Sequence, residues 1–217
     1  MKWINISDEL LGLLEPYSDW FFQQDLSPLE ELATKNPKNK PLQQTGWATS
    51  DEYLDEIVAK DGAHEGYPEI SYSYDLQAGE HPKHFQDKYQ KLSIDLLNFL
   101  GARNEAVHVF YPPSGFMSWH NNWNAHGYNI LLSYSVNGGG WFKYRDTKSH
   151  NIIQMLDPGG WSCKVGYYGR GREPDKVYYH CAGTDEPRLT LGYVIPHLDL
   201  WQNMISDISG ESADHFS

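Results

Sequence analysis

The sequence predicts a mainly β chain, a jelly roll buttressed by helices that precede it, and three observations carry that prediction. From Glu105 onward the texture becomes short apolar runs broken by turn residues, eight of them at 105–111, 115–120, 128–136, 140–145, 151–155, 161–168, 176–181 and 188–195. Short strands at regular spacing belong to sandwiches and barrels. Asn137-Gly138-Gly139 between the third and fourth runs is hairpin chemistry, and Asp157-Pro158-Gly159-Gly160 and Gly169-Arg170-Gly171 mark further turns. Ahead of the runs lie helical signals separated by polar loops. The expected organisation is one domain, with helical and strand support over 1–104, the jelly-roll core over 105–195 and an extension over 196–217. A chain of 217 residues suits one buried core better than two.

Residues 1 to 7 alternate weakly, as an edge strand would. Ser27-Pro28-Leu29-Glu30 has a capping-box pattern with Pro at the first helical position, and the helix it opens ends by Asn36-Pro37. Lys35 to Gln44 is polar and basic and reads as a surface loop. Thr49-Ser50-Asp51-Glu52 opens a second helix with Tyr53, Leu54, Ile57 and Val58 on one face. Glu69 to Leu76 alternates as a strand does, with Ile70, Tyr72 and Tyr74 on one side. Gln86 to Leu100 places Tyr89, Leu92, Leu96, Leu97 and Leu100 at helical spacing, and Gly101 stops it. From Asn203 onward, the Ser/Asp-rich sequence reads as a loosely held terminus.

Composition narrows the function. Seventeen Lys and Arg against 29 Asp and Glu leave a net charge of −12, which repels phosphate backbones and argues against a broad nucleic-acid surface. No apolar run has the length of a membrane span, and Met1-Lys2-Trp3-Ile4-Asn5 does not begin a signal peptide, so a cytoplasmic protein is expected. Cys163 and Cys181 make neither a disulfide framework nor a zinc spacing, and as strand residues they are expected to be buried and inert. Aromatics form 14% of the chain, enough both to fill a β-rich core and to line a cleft.

The chemistry concentrates in Tyr111 to Asp146 and its distant partners. His120 and Asn122 end the second run, two residues apart, a spacing that turns alternate strand side chains the same way. His180 lies 60 residues on, Arg188 follows it by eight, and Thr190 shares the face of Arg188. Two neutral imidazoles can hold a divalent iron with positions left open, and the third donor of such a centre is ordinarily a carboxylate. Here that position reads Asn. Arg188 offers a planar fork of donors suited to a carboxylate. Taken singly, any of these residues would more often be structural; their joint spacing is what points to a site.

That spacing resembles the iron(II)- and 2-oxoglutarate-dependent oxygenases, in particular the prolyl-4-hydroxylase-like branch. The pattern reads Tyr111, Gly115, His120-Asn121-Asn122, His180 and Arg188-Leu189-Thr190, with a Trp119-His120-x-Asn122 string similar to short phage-encoded versions. The resemblance covers about 105–195 and implies a double-stranded β-helix of cupin-like type. It implies Fe(II) held by His120, Asn122 and His180, and 2-oxoglutarate held by Arg188, Thr190, Tyr111 and Tyr134. With O2, such a site hydroxylates a small-molecule or peptide substrate and releases succinate and CO2. Asn122 leaves three readings open. It ligates through its amide oxygen, or it stands aside for water or halide as in halogenases, or it marks a catalytically inactive module that binds metal or dicarboxylate. Asp146 is expected to cap the turn before Thr147 rather than supply the missing carboxylate. Trp119, Trp123 and Trp141 are candidates to line a cleft, and Lys143, Arg145, Arg170 and Arg172 form the cationic group nearest to it in sequence. The sequence leaves substrate and oligomeric state undetermined.

Overall fold

A computed structural model describes residues 1–39, 45–60, 68–78, 80–122, 126–169 and 173–210. Part of the Lys35–Gln44 loop, the turn at Gly169-Arg170-Gly171 beyond its first residue, Trp123, Arg172 and the tail after Gly210 lie outside them.

Among the described residues, eleven strands build two antiparallel sheets. They are β1 (Lys2–Ile4), β2 (Ser71–Tyr72), β3 (Tyr74–Asp75), β4 (Asn104–Tyr111), β5 (Phe116–His120), β6 (Gly127–Ser135), β7 (Gly140–Arg145), β8 (Ile152–Leu156), β9 (Gly160–Tyr168), β10 (His180–Thr184) and β11 (Arg188–Ile195). One sheet runs β1-β9-β6-β11-β4-β3 and the other β2-β5-β10-β7-β8. From β4 onward the chain alternates between the sheets, apart from the β7–β8 hairpin, and this is the jelly roll expected from the eight apolar runs. The seventh run begins later than expected. Residues around Pro174 form a short 3-10 turn, and the strand starts at His180 rather than ending there. The strand expected over Glu69–Leu76 divides at Ser73, β2 pairing with β5 in one sheet and β3 with β4 in the other.

The described residues also form six helices: α1 (Asp8–Phe21), α2 (Ser27–Lys35), α3 (Thr45–Ala48), α4 (Asp51–Ala59), α5 (Lys83–Leu100) and α6 (Leu198–Ser209). Alternate residues of the six-stranded sheet, among them Phe110, Ile130, Leu132, Val165, Leu189 and Leu191, form one apolar core with α1, α2, α5 and α6. On the five-stranded sheet Phe116, Trp119 and Cys181 pack under Tyr53, Leu54 and Ile57 of α4. Ser50 caps α4 as its sequence suggests, accepting from the Tyr53 N–H at 3.2 Å. Ser27 does not cap α2; it is the first helical residue, and its own N–H donates to Asp25 Oδ1. Gly101 ends α5 in the left-handed conformation at φ 57°, where a side chain would be strained.

Two helices correct the sequence reading. The segment 8–21 carries no expected element, yet Ser7 caps it through the Leu10 N–H and Leu10, Leu14, Tyr17 and Phe21 are buried at helical spacing. The expected loose terminus is instead α6. Trp201, Ile205 and Ile208 face the sheet while the Ser, Asp and Asn residues point outward, and Trp201 Nε1 donates to the Asn129 carbonyl at 3.3 Å. Both cysteines are buried and unbridged, and burial pushes the Cys163 thiol up to about 12.

Candidate active site

Between the sheets lies a second core, built from Val109, Tyr111, Leu131, Phe142, Tyr144, Met155, Tyr168, Tyr178 and Ala182. Its walls hold the candidate side chains. β5 and β10 pair with His120 directly opposite His180, and the ring centroids are 4.2 Å apart. Four residues of β5, from Met117 to His120, match three of β10, from Ala182 to His180. This bulge lets both Met117 and His120 turn inward despite their odd spacing, while Trp119 stays in the outer core.

Each histidine uses the same local device. His120 Nδ1 lies 2.8 Å from the Ser118 carbonyl and His180 Nδ1 lies 2.9 Å from the Tyr178 carbonyl. A carbonyl only accepts, so each Nδ1 carries the proton and each Nε2 presents a lone pair. Burial, reinforced by the neighbouring His120, holds His180 well below the usual histidine range and therefore neutral. Phe142 stacks on the His180 ring at 5.5 Å and Tyr168 meets it edge-on at 5.1 Å. Asn122 follows the end of β5 and lines the same cavity as His120. Among the described residues no three His, Cys, Asp or Glu come together as a metal cluster; His180 stands opposite His120, and His120 and Asn122 line one cavity. Asp146 caps its own turn, accepting at Oδ1 from the Lys148 and Ser149 N–H groups at 3.1 and 2.7 Å.

Further along the interior, Arg188 is about 1% exposed. In the six-stranded sheet it stands opposite both Tyr111 and Ser135, so these three share the inner face. Its guanidinium donates from Nε to Asp157 Oδ2 at 2.7 Å, from Nη1 to Thr190 Oγ1 at 2.6 Å and from Nη2 to Ser133 Oγ at 3.1 Å, and it lies over the Tyr111 ring. The open fork expected for Arg188 is therefore already engaged by the chain itself. Lys164, fully buried on β9, donates to Asp157 Oδ1 at 2.5 Å. Burial tends to raise the Asp157 pKa, but Arg188 and Lys164 outweigh it and hold the carboxyl below the usual range. Burial lowers Lys164 to about 8 against the pull of Asp157. Two cations against one carboxylate leave this enclosed cluster one positive charge in excess. Gly140 makes room for it, since a Cβ there would meet Asp157 Oδ2 at 2.6 Å and Arg188 Nε at 2.8 Å.

The structure thus brings His120, His180, Tyr111, Arg188 and Thr190 to one interior, with Asn122 at its mouth. Tyr134 does not join them. It stands opposite Leu189 on the outer face, stacked on Phe22 at 4.8 Å and edge-on to Trp161 at 5.3 Å. The neighbouring inward residue is Ser133. Trp119 and Trp141 belong to the core under α4 and do not line the interior. Lys143 also faces outward, over the Trp141 ring and toward the Thr49 carbonyl. Sequence reasoning missed Asp157, read only as a turn residue, and Lys164, whose inward place in an apolar run was the available signal.

A cavity of about 430 Å³ opens beside the pair, bounded by His120, Asn122, Met117, Val107 and Val109 and by Asn36, Lys38, Ser71, Asp75 and Glu105. Glu105 is saturated by the hydroxyls of Tyr89, Ser93 and Tyr193 and by His108 Nδ1. The Asp75 pKa is raised, by burial foremost, and Oδ1 accepts from the Gln77 N–H.

No protein-family model matches the sequence, and no curated protein matches it. Among solved structures the chain is similar to a Pseudomonas putida prolyl-4-hydroxylase, at 16% identity over 73% of this chain and 89% of that one, with a TM-score of 0.34. It is also similar to a prolyl hydroxylase from Trichoplax adhaerens in complex with a hypoxia-inducible-factor peptide fragment, at 10% identity over 83% and 91%, TM-score 0.36. A 2OG-Fe(II) oxygenase family protein from Burkholderia pseudomallei matches at 13% over 67% and 79%, TM-score 0.34. No helix among the described residues is long and apolar enough to cross a membrane.

Proposed function

We propose that the chain is an iron(II)- and 2-oxoglutarate-dependent oxygenase that hydroxylates a small-molecule or peptide substrate. The observation that carries this reading is the in-register His120–His180 pair, each ring fixed by a backbone carbonyl so that Nε2 is the ligand atom. Iron(II) would be held by these two atoms and the Asn122 amide oxygen, and when bound it supplies the activation of O2.

The chain's own residues do the rest. Arg188 and Lys164, with Asp157 between them, leave one unbalanced positive charge for the distal carboxylate of the co-substrate. Thr190, Ser133 and Tyr111 hold the guanidinium plane in place. Phe142 and Tyr168 fix the orientation of His180 and exclude water from its surroundings. The cavity at Asn122 is the way in for substrate. Asn122 as a neutral donor leaves the centre one charge more positive than a carboxylate would, which favours an anionic co-substrate there.

A second reading has its own observation. Because Asp157, Thr190 and Ser133 already occupy Arg188, the fold also suits a module that binds metal and a carboxylate without turnover. Protein loaded with ferrous iron, 2-oxoglutarate and air separates the two. Slow release of succinate, about one equivalent per 2-oxoglutarate consumed, supports the oxygenase. Binding of manganese and 2-oxoglutarate without any succinate under iron would favour the module, and absence of 2-oxoglutarate binding overturns both.

A further inference from the structure

Among the described residues three buried side-chain polar atoms lack a hydrogen-bond partner: His81 Nε2, Trp119 Nε1 and the Tyr168 hydroxyl. Trp119 sits in the core under α4, and His81 packs edge-on against Tyr74 away from the interior. Tyr168 is different. It is the last residue of β9, is about 1% exposed, and lies inside the jelly roll with its ring 5.1 Å from His180 and 5.3 Å from Tyr178.

An orphaned hydroxyl in an enclosed interior is unfavourable by itself, and it persists where something else completes it. Two features say what completes it. A phenol carries its proton at neutral pH and here meets no acceptor among the described residues, so its missing partner is an acceptor oxygen. Phe142 and Leu131 in the same inner core offer no such oxygen, and the Tyr178 hydroxyl is engaged instead by the Met1 ammonium, which donates to it at 2.6 Å. On the same inward face of β9, four residues earlier, lies Lys164, at the opposite end of the interior from the His pair. An elongated anion lying between the two ends would have a charged terminus near Arg188 and Lys164 and oxygen atoms near Tyr168.

We propose that Tyr168 is a ligand-binding residue, its hydroxyl donating to an oxygen of the 2-oxo acid held against the His120–His180 pair. This rests on the reading of the site given above and adds to it a contact that the spacing of the motif does not contain. The hydroxyl orients the oxo-acid end of the co-substrate, as Arg188 and Lys164 draw its far carboxylate.

The test is Tyr168→Phe, which deletes one atom that nothing in the protein uses. Three readouts are taken on wild type and variant: thermal midpoint without ligand, manganese affinity by calorimetry, and 2-oxoglutarate affinity in the presence of manganese. The expected result is an unchanged or higher midpoint, manganese affinity within about twofold, and 2-oxoglutarate bound at least about tenfold more weakly, the range for a lost hydrogen bond to a charged group. Equal 2-oxoglutarate affinity in the two proteins overturns the role of Tyr168 and leaves the oxygenase reading standing. A lowered midpoint also overturns it, because the hydroxyl would then have a partner within the protein. Wild type that binds manganese but no 2-oxoglutarate overturns the inference together with the reading beneath it, and the wild-type arm alone identifies that case.

Discussion

The two faces of the six-stranded sheet are made by the same strands and do opposite things. Outward, Phe110, Leu132, Leu189 and Leu191 meet helices in an apolar core, with the buried His108–Glu105 pair at its edge. Inward, one residue away on each strand, stand Tyr111, Ser133, Thr190, Arg188 and Lys164, closed around Asp157. The outer face contributes stability by burying apolar area, which is favourable whatever the exact partner. The inner face is held by complementarity of charge, and it is left one negative charge short. An apolar face and a charged face are thus separated by the period of a strand, and each can be perturbed by itself.

The largest effect should come from Asp157→Ala. It leaves Arg188 and Lys164 buried without their carboxylate, which typically costs about 3–5 kcal/mol, or roughly 6–20 °C in thermal midpoint for a chain of this size. The same change adds a positive charge to the interior, so 2-oxoglutarate should bind more tightly as it takes the place of the lost carboxylate. Leu191→Ala on the outer face should cost about 2–5 kcal/mol through its cavity and leave 2-oxoglutarate affinity alone. Equal losses of affinity in both variants would mean that the two faces are not independent. Denaturation curves and calorimetry on the same preparations give both numbers.

A smaller effect follows from Lys164, which faces Asp157 and Arg188 and has Cys163 beside it in the strand. Its pKa in the folded protein is lowered to about 8 from 10.5. Below pH 8 the lysine is charged and the interior keeps its excess cation; above pH 8 that charge is lost while the unfolded chain still holds its proton. Stability contributed by this group therefore rises with pH between 8 and 10.5, and 2-oxoglutarate affinity falls, by at most about tenfold per pH unit. Lys164→Met should flatten the fall. An affinity that is constant from pH 7 to 9.5 would remove Lys164 from co-substrate binding.

Much of this was legible in the sequence because strands announce themselves by length and turn chemistry. The eight runs from Glu105 lie within one or two residues of the observed strands, except at His180, where Pro174 delays the strand. His120, His180, Arg188, Thr190 and Tyr111 could be read as a group because their spacings put them at strand ends or on one face. What could not be read was register between strands distant in sequence. Tyr134 and Ser133 are equally plausible inward residues until Arg188 is seen opposite Ser135; that pairing turns Ser133 in and Tyr134 out. The Asp157 partnership with Arg188 and Lys164 spans a turn and two strands, and no local pattern encodes it. α6 was missed for the opposite reason. Its polar residues dominate the composition, while Trp201, Ile205 and Ile208 alone record the buried face.

The central claim is that His120 and His180 hold one divalent metal through Nε2. The direct measurement is manganese titration by calorimetry of wild type, His120→Ala and His180→Ala, with circular dichroism confirming that each variant is folded. The account predicts one equivalent bound by wild type and affinity lowered by at least about a hundredfold in each variant, since each removes one of two strong donors. Wild-type affinity retained by both folded variants would contradict it.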